Sequence, residues 1–371
     1  MSRGRLTARQ LFWIALIGVL PTVFLEVPGE LVRLAGRYAW QTPLFAAPPA
    51  VAFAWWVGSM AAGRGDLAQA AAGVRPAWLG RLLLAGAWMA VGIVCVLVLR
   101  ETAEGAAATY VKGNVPISAL TLLILIEGGL LAWLGPVVIG RTSAVLAPAL
   151  SVTYLGGLML VLPLLQVVRL LPLLPGVFPP GIGVSLRLEW LWLVEPALVG
   201  ALLADRLEGQ HRRRAGSALA LATALAAVLL SAGLAVIVAD FGPARAAELA
   251  LPFLDLSKEL PYSAYLEHLD SLVMPIEIVS AMEKVGIMFW MWHRLACLLV
   301  PVPAASVMWI PAIALASGLL SMLLFPNLLA VDRALYPVSA ACVPVFAAVL
   351  TAVYGMAPAG RRGGARGGGA T

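Results

Sequence analysis

Long apolar runs follow one another along almost the whole chain. A membrane-spanning helix needs about 20 mainly apolar residues, and the sequence contains ten such runs, roughly 10–33, 40–62, 80–100, 116–139, 144–168, 187–206, 216–239, 271–297, 304–325 and 333–356. The composition agrees, because 61% of the residues are hydrophobic and only 12% are charged. The sequence therefore predicts an all-α integral membrane protein, with one transmembrane domain at 1–357 and a disordered Gly/Arg tail at 358–371.

The basic residues indicate how the ten spans are oriented. With both termini in the cytoplasm, 15 Lys and Arg residues fall on the cytoplasmic side and 9 on the opposite side, while Lys284 stays within the membrane. Cytoplasmic loops carry the excess of positive charge in membrane proteins, so this orientation is predicted. No basic stripe with interleaved aromatic residues is present, and no nucleic-acid partner is predicted.

Three charged residues recur every seven positions around the eighth run: Asp270, Glu277 and Lys284. Residues seven apart share one face of a helix. Ionisable groups at membrane depth are costly and usually face a protein interior or a watery cavity. The stripe indicates either a functional site or a structural pair between Glu277 and Lys284, with Asp270 at the interface.

The first and sixth spans contain helix-breaking residues at corresponding places. Pro21 lies within GVLPTVFLEVPG of span one, and Pro196 lies within WLWLVEPALVG of span six. Paired interruptions of this kind indicate an inverted-repeat transporter with its ligand site at the bilayer midplane. The sequence thus predicts a 5+5 inverted repeat, with repeats at about 9–168 and 185–357 and with helices one and six broken. The alternative is that these are ordinary prolines, because the chain has 26.

Acidic residues accompany both interruptions. Glu26 follows Pro21, Glu195 precedes Pro196, and Glu127 is a third deep carboxylate beside Gly128 and Gly129. Each glutamate is either balanced by Lys284 or held in its neutral, protonated form. The predicted ligand-binding residues are those at the two breaks together with the deep cation: Val19, Leu20, Pro21, Thr22, Glu26, Trp192, Glu195 and Lys284.

A second group of charged residues is predicted to be structural. Arg100 and Glu104, four apart, are expected to form an ion pair at the end of span three, and Glu127 and Glu277 are placed in the same structural group. The sequence shows no HExxH, no GxSxG and no metal-ligand spacing around Cys95, Cys297 and Cys342. It therefore predicts no enzyme activity, metal or cofactor.

Several strings resemble one known family, the endospore germination permeases. They are TARQLFW at 7–13, GRYAWQTPL at 36–44, LRETAEGAAATYVKGNVP at 99–116, GRTSAVLAP at 140–148, LLPLLPG at 170–176, LALPFLDLSKELPYSAYLEHLDSL at 249–272 and EKVGIMF at 283–289. Within that family, Arg100 and Glu104 match the charged end of span three, Glu195 the acid of span six and Lys284 the lysine of span eight. The chain departs from the family pattern at His268, where arginine is usual, and at Val19 to Thr22, where a glycine-rich turn is usual.

The resemblance implies the membrane-embedded B subunit of a nutrient germinant receptor, in the amino acid, polyamine and organocation transporter superfamily. Such a subunit is expected in the spore inner membrane with an A subunit and a lipoprotein C subunit, where it binds a small germinant such as an amino acid or a sugar. The broken helices alone leave open a stand-alone secondary transporter of amino acids.

Overall fold

All ten predicted spans are present as helices. The computed structural model describes residues 4–21, 27–108, 115–171, 173, 181–207, 209–249, 251–258, 270–300 and 308–357. Span one is formed by Ala8–Ile17 and Val27–Ala35, and spans two to five are Thr42–Arg64, Ala77–Ala106, Ile117–Leu134 and Pro136–Val161. Spans six to ten are Ile182–Leu203, Ala215–Phe241, Asp270–Leu299, Trp309–Leu324 and Leu328–Met356. The predicted tail at 358–371 lies outside the described residues.

Short helices connect the spans. Leu67–Ala72 lies between spans two and three, Gly209–Arg213 between spans six and seven, and Pro243–Glu248 with Pro252–Lys258 between spans seven and eight. Span two is preceded by the 3-10 helix Gly36–Gln41, and span six ends in another, Ala204–Arg206.

Local sequence fixes where span one begins and where its first part ends. Thr7 caps the helix, because its hydroxyl accepts the Gln10 amide at 3.1 Å while the Gln10 side chain accepts the Thr7 amide at 3.0 Å. The first part of the span ends at Ile17, and Gly18 caps it. Leu6, the residue before Thr7, donates its amide to the carbonyl of Arg206 at 2.8 Å. This bond joins the start of span one to the end of span six.

Two long helices differ from the others in their charge. Among the described residues, six helical segments are long and apolar enough to cross a membrane: Val27–Arg64, Ala77–Ala106, Ile117–Leu134, Pro136–Leu164, Ala215–Phe241 and Leu328–Met356. Spans six and eight have the length, but they also carry interior charges, including Glu189, Glu195, Glu277, Glu283 and Lys284. All five of these residues are buried. The two charged helices therefore turn their ionisable groups towards the protein and away from lipid.

Helix packing repeats between the two halves of the chain. Span one packs on span five as span six packs on span ten, and span two packs on span six as span seven packs on span one. Span three contacts spans nine and ten, and span eight correspondingly contacts spans four and five. Exchanging each span with the one five positions later therefore reproduces these contacts, as a 5+5 repeat requires.

Glycines allow the closest helix contacts. A Cβ atom on Gly58 of span two would lie 2.8 Å from the Cα atom of Gly216 in span seven. A Cβ atom on Gly128 of span four would lie 3.3 Å from the amide nitrogen of Gly286 in span eight. Small residues bring membrane helices close enough for backbone contact, since lipid supplies no hydrophobic force between helices.

Replacing Gly58 by alanine should destabilise the protein, because its new methyl group would meet backbone that cannot rotate away. We expect a loss of about 1–3 kcal/mol, the usual cost of overpacking. The measurement is thermal or denaturant unfolding of the detergent-solubilised protein.

The matched control is Gly63→Ala on the same helix, where a Cβ atom has no neighbour within 4 Å. Alanine favours a helix over glycine by about 0.5–1 kcal/mol, so this variant should be at least as stable as wild type. Equal stability of the two variants would contradict the tight packing of spans two and seven.

Candidate functional site

Lys284 lies at the middle of span eight and is fully buried. Its Nζ atom is 3.1 Å from Oε2 of Glu195 on span six, and the side chains are 0% and 3% exposed. The same ammonium lies 4.4 Å from the ring centroid of Trp192. Trp192 and Glu195 are three residues apart and so share one face of span six. That face holds the ammonium by an ion pair and a cation–π contact.

A third charged residue, Glu101 of span three, belongs to this group. Glu101 is 0% exposed, and neither of its carboxylate oxygens has a hydrogen-bond partner. It lies within electrostatic range of Lys284, Glu195 and, towards the start of span ten, Asp332. The sequence reasoning missed Glu101 because it selected the neighbouring Arg100 and Glu104, which lie four apart and share one helix face, whereas Glu101 points to a different side of the helix.

The buried group has unused hydrogen-bonding capacity. Oε1 of Glu195, both oxygens of Glu101 and Nε1 of Trp192 have no hydrogen-bond partner within the described part of the chain. Buried polar atoms are ordinarily satisfied by protein or by bound molecules. The carboxyl oxygens of Glu101 and Glu195 are acceptors that a small ligand with hydrogen-bond donors could use. We refer to Glu101, Trp192, Glu195 and Lys284 as the central charge cluster.

Span one is interrupted at the predicted place. Its first part ends at Ile17, a turn follows at Gly18 and Val19, and Leu20 and Pro21 are helical again; Val19, Leu20 and Pro21 are buried, and the next described helix is Val27–Ala35. The predicted ligand residues Thr22 and Glu26 lie outside the described residues. Of the eight predicted ligand residues, the structure brings Trp192, Glu195 and Lys284 into direct contact.

Span six requires a correction. The sequence predicts a break at Pro196, but Ile182–Leu203 is one continuous α-helix with Pro196 inside it. A helix can continue through proline in a membrane protein when neighbouring helices support it. Proline still lacks an amide hydrogen, so the carbonyl of Trp192, four residues earlier, has no helical donor from position 196. The residue thus frees a backbone acceptor at the central charge cluster without unwinding the helix.

The remaining predicted residues form separate contacts. Nη2 of Arg100 is 2.7 Å from Oε1 of Glu104 and also donates to the carbonyl of Pro326 at 2.9 Å. Glu277 is buried near Tyr154 of span five, and neither of its carboxylate oxygens has a hydrogen-bond partner. The partner of Lys284 is therefore Glu195 on another helix, although the seven-residue spacing also allowed Glu277.

Glu127 faces a second carboxyl group that the sequence reasoning did not select, Glu283. Glu283 is fully buried and is bonded to the hydroxyls of Thr142 and Ser143 on span five. Its position directly before Lys284 in the string EKVGIMF was the available signal.

Ion pairs close both ends of the helix bundle. At one rim, Arg294 of span eight contacts Asp66 at 2.9 Å and Asp205 at 3.3 Å. At the opposite rim, Arg33 of span one contacts Asp332 of span ten at 3.5 Å. The central charge cluster lies between these rims and is shielded from solvent. Within the described residues, no group of three or more His, Cys, Asp and Glu side chains is arranged to hold a metal.

The fold is shared with a solved transporter. A member of the nucleobase-cation-symport-1 family, solved in a closed conformation with bromovinylhydantoin bound, is similar over 94% of this chain and 78% of its own, with a TM-score of 0.63 and 11% sequence identity. At this identity the likeness shows the fold alone, and it confirms the predicted all-α inverted-repeat membrane architecture.

Sequence comparisons place the chain in a family. No curated protein matches the sequence. A family model described as "Spore germination protein" matches residues 5–326, nearly the whole transmembrane domain. The permease resemblance of the sequence strings is thereby confirmed, and the chain belongs to the spore germination protein family.

Proposed function

We propose that this chain is the membrane subunit of a spore germinant receptor, which binds a small nutrient among spans three, six and eight and thereby triggers germination. The observation that carries the proposal is the central charge cluster in a chain of the spore germination protein family. Lys284 is held there by Glu195 and Trp192, beside the unpartnered carboxyl of Glu101. The nutrient is an amino acid or a sugar.

The open acceptor positions define what the ligand must offer. An amino acid brings an ammonium group and a sugar brings hydroxyls, and either can donate to the free oxygens of Glu101 and Glu195. The ring of Trp192 offers an apolar wall beside them. In this proposal, a ligand carboxylate is received by the amide groups at the start of the second half of span one, where a helix N-terminus favours negative charge.

The proposal also includes location and partners. The subunit lies in the spore inner membrane with both termini on the cytoplasmic, core side, and it assembles with an A-type subunit and a lipoprotein C-type subunit. The family membership and the excess of basic residues on the predicted cytoplasmic side support this arrangement.

A stand-alone secondary transporter of amino acids is the second candidate. It is favoured by the ion pairs at both rims, Arg294 with Asp66 and Asp205 and Arg33 with Asp332, which enclose the central charge cluster from opposite sides. Alternate opening of such contacts is what a transport cycle requires. The similarity in fold to a solved transporter agrees with this candidate.

Ligand binding should depend on the Lys284–Glu195 pair. We expect at least one amino acid, sugar or nucleoside from a thermal-shift screen to stabilise the purified protein, and we expect Glu195→Gln and Lys284→Met each to weaken that response at least tenfold. Loss of one hydrogen-bonded charge in a buried contact typically costs about 2–5 kcal/mol of binding free energy. The measurement is the melting temperature as a function of ligand concentration.

Two further variants make this test decisive. Glu248→Gln removes an exposed carboxylate on the helix Pro243–Glu248 and should leave the response unchanged. The double variant Glu195→Gln with Lys284→Met removes both charges and avoids an unpaired buried ion, so it should fold even where a single variant does not. An unaltered ligand response in the double variant would exclude the pair from the site.

Uptake experiments distinguish the two candidate functions. Proteoliposomes that contain this chain alone should bind the stabilising ligand without accumulating it, because the receptor candidate couples binding to germination. The measurement is uptake of radiolabelled ligand, with the double variant as the background. Accumulation well above that background would favour the transporter.

A further inference from the structure

Glu283 forms a second polar site on span eight, separate from the central charge cluster. Its Oε1 atom lies 2.6 Å from Oγ1 of Thr142 and 2.7 Å from Oγ of Ser143, both on span five. Glu283 and Ser143 are 0% exposed, and Oε2 of Glu283 has no hydrogen-bond partner among the residues that the structure describes. A buried carboxyl therefore meets span five through two hydroxyl groups.

The charged groups around Glu283 are acidic or are engaged elsewhere. Span four contributes Glu127, a half-buried carboxyl within electrostatic range. On the other helices packed against span eight, span six carries Glu195, which is bonded to Lys284, and span three carries Glu101 together with the pair Arg100 and Glu104. The short helix Pro252–Lys258 carries Asp255. Arg141 on span five is exposed to the surroundings of the protein. Spans one and nine contribute apolar residues to the core, such as Ile14 and Ala314.

The single hydrogen of Thr142 has two acceptors within reach, which favours a proton on Glu283. Oγ1 of Thr142 is 2.9 Å from the carbonyl of Ile139, three residues earlier, and Thr102 and Thr121 donate to the carbonyl four residues earlier in their own helices. A hydroxyl carries a single hydrogen and cannot donate to two acceptors at full strength. If Thr142 donates to the backbone, the 2.6 Å contact with Glu283 needs a hydrogen on the carboxyl group.

The contact distances favour a proton over a metal ion. Oxygens that bind one cation at about 2.3–2.6 Å, as calcium ligands do, lie about 3.3–3.7 Å apart when they are at right angles. The 2.6 and 2.7 Å separations at Glu283 are shorter than this and match direct O–H···O hydrogen bonds.

We propose that Glu283, Thr142 and Ser143 form a proton-binding site that holds span eight against span five. With the proton bound, Glu283 is neutral and donates to Thr142 while Ser143 donates to Glu283. When the proton leaves, Thr142 must give up its bond to Ile139 or face a buried anion, and the contact between the two spans weakens. Glu127 on span four is the neighbouring carboxyl that can accept the departing proton. The proposal does not depend on which nutrient binds at the central charge cluster.

Infrared difference spectroscopy tests the site directly. The spectrum of wild-type protein minus that of Glu283→Gln, both full-length and in lipid at neutral pH, should contain the C=O band of a protonated carboxylic acid that shifts in D₂O. The matched control, Glu248→Gln, changes an exposed carboxyl, and its difference spectrum should show carboxylate bands instead. A carboxylate signal for Glu283 as well would overturn the proposal.

Ser143→Ala provides an independent arm if Glu283→Gln does not fold. It keeps the carboxyl group but removes the hydroxyl that contacts Oε1, so the spectrum of wild type minus that of Ser143→Ala should contain a change in the C=O band of the protonated acid. A difference confined to carboxylate bands would contradict the assignment. Replacing choline chloride by sodium chloride should leave the wild-type band in place, whereas its loss in sodium would show that the site binds a metal cation instead of a proton.

Discussion

The ion pair between Lys284 and Glu195 sets how spans six and eight meet. Moving an ion out of water still costs several kcal/mol after relaxation, and a buried pair recovers this cost only with good geometry. Here the ammonium is 3.1 Å from the carboxylate and lies over the ring of Trp192. Because Trp192 and Glu195 share one helix face, the pair fixes the rotation of span six as well as its distance from span eight. Removing one partner would take away the direct ion pair of a buried charge, so the contact constrains both helices together.

Close helix packing surrounds this pair with a rigid frame. Gly58 and Gly216 bring spans two and seven into backbone contact, and Gly128 and Gly286 do the same for spans four and eight. The main helix contacts of one half recur in the other half of the chain, so much of the frame follows one arrangement twice. Small-residue contacts of this kind allow little lateral adjustment. The frame can therefore hold polar groups such as Glu101 without hydrogen-bond partners, where a loose bundle would admit lipid or collapse around them.

The sequence was sufficient for the spans but not for the pairing of their charges. Hydropathy located all ten helices, and the positions of Glu195 and Lys284 marked them as interior groups because charge at membrane depth is costly. Helical periodicity shows which face a residue occupies, but not which helix it meets. Glu277 and Glu195 were therefore equal candidates until packing selected Glu195. Glu101 and Glu283 were missed beside more conspicuous neighbours, and Pro196 was assigned a break that the surrounding helices prevent.

Adjacent residues on span eight connect it to both halves of the fold. Glu283 is bonded to Thr142 and Ser143 of span five, in the first half, whereas Lys284 is bonded to Glu195 of span six, in the second half. Consecutive side chains on a helix diverge by about 100°, so the two contacts pull in different directions around the helix axis. A rotation of span eight that lengthens one contact alters the other. On the two proposals made above, a proton at Glu283 and a ligand at Lys284 act on the same degree of freedom, and coupling between them needs no pathway beyond this one helix.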